Sequence, residues 1–157
     1  MRRTDREITN PQEISAVIQK CQVCRLALSR DDQPYIVPLS FGYDGEALYF
    51  HTAVEGMKID IWSANPAVCF EFDTAVELIM RVDQPCQWSF YYQSVIGTGT
   101  LRELPAGEEK IRGLNEIVSH YAGCPRSFSQ QQLDNIRVWK LTIETITGKR
   151  SAGKDGA

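Results

Sequence analysis

The sequence predicts an α+β protein that is mainly β, with a largely antiparallel sheet that is closed or half-closed. Three observations support this. Segments with two-residue periodicity outnumber those with helical periodicity, they follow one another as hairpins, and a sheet of that size needs its edges protected, which closure achieves. A chain of 157 residues holds one such core comfortably.

The elements follow in order. Asn10-Pro11-Gln12-Glu13 reads as a helix start, with Asn10 as cap, Pro11 in the first turn and Glu13 able to reach back as in a capping box; Ile14, Val17 and Ile18 share the next face. From Val23 the period changes: Val23, Arg25 and Ala27 oppose Cys24, Leu26 and Leu28, as in a strand that ends at the polar Ser29 to Gln33 turn. Between Pro34 and Tyr43, residues Tyr35, Val37, Leu39, Phe41 and Tyr43 alternate as a second strand. Asp44-Gly45 then turns tightly into a third, Ala47 to Thr52.

Gly56 to Ala64 predicts a short helix closed by Asn65-Pro66, with Met57, Ile61 and Trp62 towards one side. A strand from Ala67 to Asp73 follows. Residues 76–92 read as two more strands, because Leu78, Met80 and Val82 alternate before Asp83-Gln84-Pro85 interrupts the run ahead of Trp88, Phe90, Tyr91 and Tyr92. Ser94 to Leu104 is a further strand. Glu108 to Tyr121 is an amphipathic helix using Ile111, Leu114, Ile117 and Val118, and Ile136 to Ile146 is the last strand, where a phase change between Val138 and Trp139 predicts a bulge. No internal repeat or linker divides the chain, so residues 1–147 form one domain; residues 148–157 make a polar tail expected to fray.

Composition narrows the function. Apolar residues form 43% and charged residues 24% of the chain, as in a folded globular domain. The net charge of −3 and the scattered basic residues disfavour a nucleic-acid partner, and no apolar run predicts a membrane anchor or signal peptide. Five cysteines without a dense framework suit a reducing compartment, so the expected location is the cytoplasm.

The segment His51-Thr52-Ala53-Val54-Glu55-Gly56-Met57-Lys58 takes a strand into a helix. Free N–H groups at a helix start, a hydroxyl, an imidazole and an ammonium suit a phosphate; Lys58 in the first turn is unfavourable beside the positive end of the helix unless an anion lies between. From spacing alone, an ordinary strand end with Lys58 pointing to water accounts for the pattern slightly better. Gly97 and Gly99 leave one face of their strand bare, for a planar ring or for a tight barrel corner, and Pro38 marks an edge, a bulge or a place where backbone serves a ligand. Cys21-x-x-Cys24 lacks a second cysteine pair, so buried free thiols are expected and no metal site. His120, late in a helix, reads as a C-terminal cation. No Ser–His–acid nucleophile motif occurs, so any chemistry falls to a cofactor.

Taken in order, Met1-Arg2-Arg3 with Asp5-Arg6-Glu7-Ile8, Cys24-Arg25-Leu26-Ala27, Pro34-Tyr35-Ile36-Val37-Pro38-Leu39, Tyr49-Phe50-His51, Gly56-x-Lys58, Asn65-Pro66, Cys69-Phe70-Glu71, Ser94-Val95-Ile96-Gly97-x-Gly99 and Thr147-Gly148-Lys149 resemble the nitroimidazole-resistance branch of the pyridoxamine-phosphate-oxidase-like flavoproteins. The resemblance implies an antiparallel split β-barrel of the FMN-binding type that forms a homodimer. Flavin mononucleotide (FMN), or in some relatives flavin adenine dinucleotide (FAD), would sit at the interface; deazaflavin and haem occur in other relatives. It implies Pro38, Leu39 and Ser40 beside the ring, His51, Thr52, Gly56 and Lys58 on the phosphate side, Ser94 and Val95 bordering the site, and His51 as the candidate catalytic residue.

The implied function is a flavin-dependent reductase that uses reduced nicotinamide as electron donor and a small electrophile such as a nitroaromatic as acceptor. The alternative is a module that holds flavin or haem without turnover. Oxidation of pyridoxamine phosphate is not expected, because the family members that perform it end in an arginine-rich, proline-containing segment where this chain has Gly148-Lys149-Arg150 and a polar tail.

Overall fold

A computed structural model describes residues 3–151. The chain begins with a short strand β1 (Glu7–Ile8) and helix α1 (Pro11–Lys20). Asn10 Oδ1 accepts the Gln12 N–H at 2.9 Å, and Pro11 takes the first helical position, where its missing donor costs nothing. The carboxylate of Glu13, rather than turning back to the cap, holds Arg150. Ile14, Val17 and Ile18 are buried, as their spacing requires.

Strands β2 (Cys24–Arg30) and β3 (Gln33–Leu39) form a hairpin whose two turn residues, Asp31 and Asp32, both have positive φ (52° and 61°). That geometry matches the right-handed twist of the flanking strands, and aspartate tolerates it better than most residues. The single strand expected from Pro34 to Tyr43 is divided at Ser40-Phe41. Its first part pairs with β2, while its last two residues form β4 (Gly42–Tyr43) and pair with β5 (Ala47–Thr52). Asp44 closes the β4–β5 turn by accepting the Glu46 and Ala47 N–H groups at 2.8 and 2.7 Å.

Helix α2 (Met57–Ala64) leads into two long strands, β6 (Ala67–Ile79) and β7 (Ser89–Glu103). Separate strands over 76–92 are not formed; these residues extend β6 and β7 past a bulge between Thr74 and Glu77, where Ala75 has φ 58°. The bulge bends β6 without ending it. In α2 the buried residues are Ile59, Ile61 and Trp62, and Met57 is exposed, because the helix packs its later turns inward. Helix α3 (Glu108–Ala122) buries Gly113, Leu114 and Ile117 and leaves Ile111 at the margin. A short helix α4 (Gln130–Asp134), not apparent from apolar periodicity, starts on a Ser129–Gln132 capping box.

The last strand, β8 (Arg137–Arg150), runs four residues past Ile146. Gly148 and Lys149 pair with β1 on one side and with β7 on the other, so the first residues of the expected tail belong to the sheet; residues 152–157 lie outside the described residues. The bulge in β8 falls at Glu144, between Ile143 and Thr145. Val138 and Trp139 are in regular register; both are apolar because both sheet faces are covered there, Val138 by α3 and Trp139 by the main core.

The strand order is β3-β2-β6-β7-β8-β5-β4, antiparallel throughout, with β1 added to β8. The sheet does not close by hydrogen bonds. Its outer strands β3 and β4 are nevertheless joined by only Ser40 and Phe41, so the two edges approach within three Cα steps, about 11 Å. The result is a split barrel. Leu26, Leu48, Phe50, Phe70, Phe72, Val95 and Leu141 fill its interior with Ile18 and Trp62 from α1 and α2. A second cluster, including Tyr49, Leu114, Ile117 and Val138, lies between α3 and the outer face of the sheet. Among the described residues no helix is long and apolar enough to cross a membrane.

Candidate functional site

The point where β3 hands over to β4 gathers several of the sequence-predicted residues. Pro38 stands opposite Arg25 in the β2–β3 ladder. Pro38 and Ser40 face outward and are exposed, whereas Leu39 turns inward against the core. The β4–β5 register pairs Gly42 with Tyr49, and His51 follows two residues later on the same side of β5. Pro38 and Ser40 at the end of β3 and His51 near the end of β5 are all exposed, and they form the outer lip considered below. This lip is braced from behind by α3: the Tyr121 hydroxyl accepts the Phe41 N–H at 3.0 Å and donates to the Gln22 carbonyl at 2.7 Å.

His51 keeps an open edge to solvent, yet the atoms around its ring disfavour the imidazolium, so burial lowers its pKa below the ordinary imidazole value. Thr52, its neighbour, points the opposite way. It is 4% exposed, accepts the Trp139 Nε1–H at 3.1 Å and donates to the Ala53 carbonyl at 2.8 Å. Its hydroxyl thus fastens the end of β5 inside the barrel and is not presented beside His51.

Gly56 opens α2 with φ 139°, a conformation that only glycine adopts without strain, and no side chain caps the helix. Its carbonyl takes the first intrahelical bonds, from the Ile59 N–H at 2.8 Å and the Asp60 N–H at 3.2 Å. Lys58 is half-buried in this first turn, and among the described residues no carboxylate pairs with it. A positive helix end next to an unpaired ammonium forms an anion-favouring corner.

Ser94 and Val95 lie elsewhere on the sheet. Val95 is wholly buried in the core, so only its backbone approaches the surface. Ser94 faces outward and, with Ile96, Thr147 and Lys149, lines a cavity of about 260 Å³. Ile96 is joined to Pro38 by one row across β7, β6, β2 and β3, three strand spacings or about 14 Å. One chain therefore carries two separate groups on a common outer face, the lip and the Ser94 cavity. Thr147 and Lys149 stand in one of the motifs that carry the family resemblance but were given no site role; the polar run after Ile146 conceals that Lys149 pairs with Ser94 in the β7–β8 ladder.

The bare strand at Gly97 and Gly99 has a packing cause. A Cβ at Gly97 would lie 2.3 Å from the Phe70 ring and 2.4 Å from the Thr145 carbonyl oxygen, and one at Gly99 would lie 2.2 Å from that of Thr142. These glycines accommodate the tightly curled interior. Cys21 ends α1 and Cys24 starts β2; both are buried free thiols, and desolvation pushes the Cys21 pKa up to about 11. His120 bonds the Cys21 carbonyl through Nε2 at 2.8 Å and packs on Phe41 with ring centres 4.3 Å apart, which gives it a bracing role. A larger cleft of about 650 Å³, between the start of α1, the β4–β5 turn and β8, contains none of the sequence-predicted residues.

Comparison with known proteins agrees with this architecture. A family model described as pyridoxamine 5'-phosphate oxidase matches residues 10–150. A proposed 5-nitroimidazole antibiotic resistance protein from Bacteroides thetaiotaomicron is 30% identical, with a TM-score of 0.81 over 91% of this chain and 85% of that one. An FAD- and haem-binding protein from Mycobacterium smegmatis (18% identity, TM-score 0.84, 94% and 74% of the two chains) shares the fold. So does an FAD-binding protein from Mesorhizobium loti (24%, 0.71, 94% and 97%). An uncharacterised protein of Rhizobium meliloti is 35% identical over 99 residues, which span 63% of this chain and 58% of that protein's length.

Proposed function

From the premise that the chain belongs to the pyridoxamine 5'-phosphate oxidase family, we propose that it binds a flavin, FMN in the first instance, and acts as a flavin-dependent reductase. The observation that carries this reading is the uncapped start of α2 with the unpaired Lys58 in its first turn, which follows the end of β5 and its exposed His51 in the chain. The corner fits a phosphate, and the lip offers outward-facing backbone and small side chains to a flat ring. The nitroimidazole-resistance relative supports a nitroaromatic-type acceptor, and the FAD- and haem-binding neighbours support a cofactor on this fold.

A bound flavin supplies hydride acceptance and electron delivery. The chain's part is to hold and orient it. Lys58 and the α2 N–H groups hold the phosphate side by charge-assisted hydrogen bonds. Pro38 has no N–H of its own, so it offers only carbonyl and ring surface. His51, whose partial burial favours the neutral imidazole, would contact the ring side and relay a proton there. The working unit in this reading is a homodimer with the cofactor between copies, in the cytoplasm, where five free thiols are stable. FAD in place of FMN extends from the same phosphate corner.

A second reading, a carrier that holds flavin or haem without turnover, is favoured by the scarcity of proton donors at the lip. Of the two histidines His120 is engaged elsewhere, which leaves His51 alone. The test is anaerobic oxidation of reduced nicotinamide by the flavin-loaded protein in the presence of a nitroaromatic. Turnover is expected, and Lys58→Ala should weaken FMN binding by about 1–3 kcal/mol, roughly 5- to 150-fold in Kd. Bound flavin that nicotinamide fails to reduce contradicts the reductase and leaves the carrier; unchanged FMN affinity in Lys58→Ala contradicts the assigned corner.

A further inference from the structure

The crossing from β3 to β4 belongs to neither neighbouring ladder. The β2–β3 pairing ends at Leu39 with Cys24 and the β4–β5 pairing begins at Gly42 with Tyr49, so Ser40 and Phe41 lie between them. The Phe41 ring is wholly buried and packs against the rings of Phe72 and His120, with centres 4.8 and 4.3 Å away. Its N–H is bound by a side chain, the Tyr121 hydroxyl at 3.0 Å. That hydroxyl donates its own proton to the Gln22 carbonyl at 2.7 Å, which fixes the direction of the lone pair that meets Phe41. The preceding residue, His120, bonds the Cys21 carbonyl through Nε2 at 2.8 Å. Two consecutive residues near the end of α3 thus grip two consecutive carbonyls of the α1–β2 link, and the crossing is fastened to that point. Leu114, Ile117 and the close approach at Gly42 already seat α3 on the sheet, so these polar bonds are not needed for that. What they add is direction at the crossing.

The Phe41 N–H and the Ser40 carbonyl belong to one planar trans peptide and point in opposite directions. Holding the N–H on Tyr121 therefore turns the Ser40 carbonyl away from that hydroxyl. Ser40 is exposed, and among the described residues its carbonyl accepts no hydrogen bond. We infer that Tyr121 is a positioning residue for the flavin ring: through the Phe41 N–H it fixes the plane of the Ser40–Phe41 peptide, and so aims the Ser40 carbonyl as an acceptor for a ring N–H. The isoalloxazine ring carries such a donor in its pyrimidine half. A carbonyl already held in one direction binds that donor more tightly than one free to rotate, because less ordering entropy is lost on binding. His120 supports the arrangement by packing on Phe41 and tying the same turn of α3 to Cys21. The role towards the ring rests on the flavin reading above; the clamp on the crossing does not.

The test compares Tyr121→Phe with Tyr49→Phe, which loses a hydroxyl bond of the same length, 2.7 Å to Asp44, at the β4–β5 turn. Three quantities are read on the full chain: the Kd for FMN, the position of the long-wavelength band of the bound flavin, and hydrogen exchange of the Phe41 amide without flavin. Tyr121→Phe is expected to weaken FMN binding about five- to tenfold, to shift the band and to speed Phe41 exchange about tenfold or more. Tyr49→Phe is expected to keep the wild-type affinity and band even where its Tm falls as far as that of Tyr121→Phe. Wild-type affinity and band position in Tyr121→Phe overturn the proposal, as does an equal loss of affinity in Tyr49→Phe. A Phe41 amide that stays protected in Tyr121→Phe contradicts the clamp whatever FMN does. A wild-type chain that takes up no FMN, while Tyr121→Phe loosens the crossing, contradicts the flavin reading and upholds the clamp.

Discussion

Side chains next to each other in the sequence have opposite duties at the end of β5. His51 faces the outer lip, and Thr52 is locked inside by Trp139 and the Ala53 carbonyl. The family resemblance implied both on the phosphate side; the strand's alternation separates them, and the hydroxyl that looks available in the sequence is already committed. His51 makes a measurable prediction. Burial holds its folded-state pKa below that of the unfolded chain, about 6.5, so the folded protein binds fewer protons and stability falls as pH drops through about 6.5 towards the folded value. Chemical denaturation of wild type and His51→Gln between pH 7.5 and 5.5 should show the smaller acid loss in the variant. Equal losses contradict the assignment, as does an imidazole titration midpoint at or above 6.5 by NMR.

Among the elements, those with strong local signals were legible. The α1 cap at Asn10-Pro11, the Asp44-Gly45 turn and the amphipathic α3 follow from local chemistry, and local chemistry is conserved on folding. What escaped depends on distant partners. The break at Ser40-Phe41 arises because one segment pairs with β2 and then with β5, and its alternation is the same in both pairings. The phase change at Val138-Trp139 resembles a bulge only until α3 is seen to cover the outer face. The candidate site shows the same limit: the His51 to Lys58 corner was visible as a strand-to-helix passage, whereas Lys149 and Thr147 join Ser94 only through long-range strand pairing. The α3 contact yields a prediction at this scale. A Cβ on Gly42 would lie 2.4 Å from the Glu116 carbonyl carbon and from the Ile117 nitrogen, rigid backbone atoms that cannot step aside. Gly42→Ala should cost about 2–3 kcal/mol, a fall of roughly 5–10 °C in Tm, as α3 is levered off the sheet. An unchanged melting curve contradicts that close approach.

For the molecule as a whole, the split barrel leaves a seam and an outer face that α3 covers over β4, β5 and β8, and the candidate functional groups lie outside that cover. The seam is held open by topology, since β3 and β4 are edges joined by two residues but not hydrogen-bonded to each other. The face carries the lip at one end and the Ser94 cavity about 14 Å away. A long cofactor with an anionic end suits that spacing, which makes flavin binding the central claim. Absorption spectroscopy of the purified chain after incubation with FMN and removal of the excess tests it most directly, followed by mass analysis of what heat releases. The account predicts the yellow two-band flavin spectrum, about one flavin per chain, released intact on denaturation. A colourless protein that neither retains nor takes up FMN or FAD contradicts it.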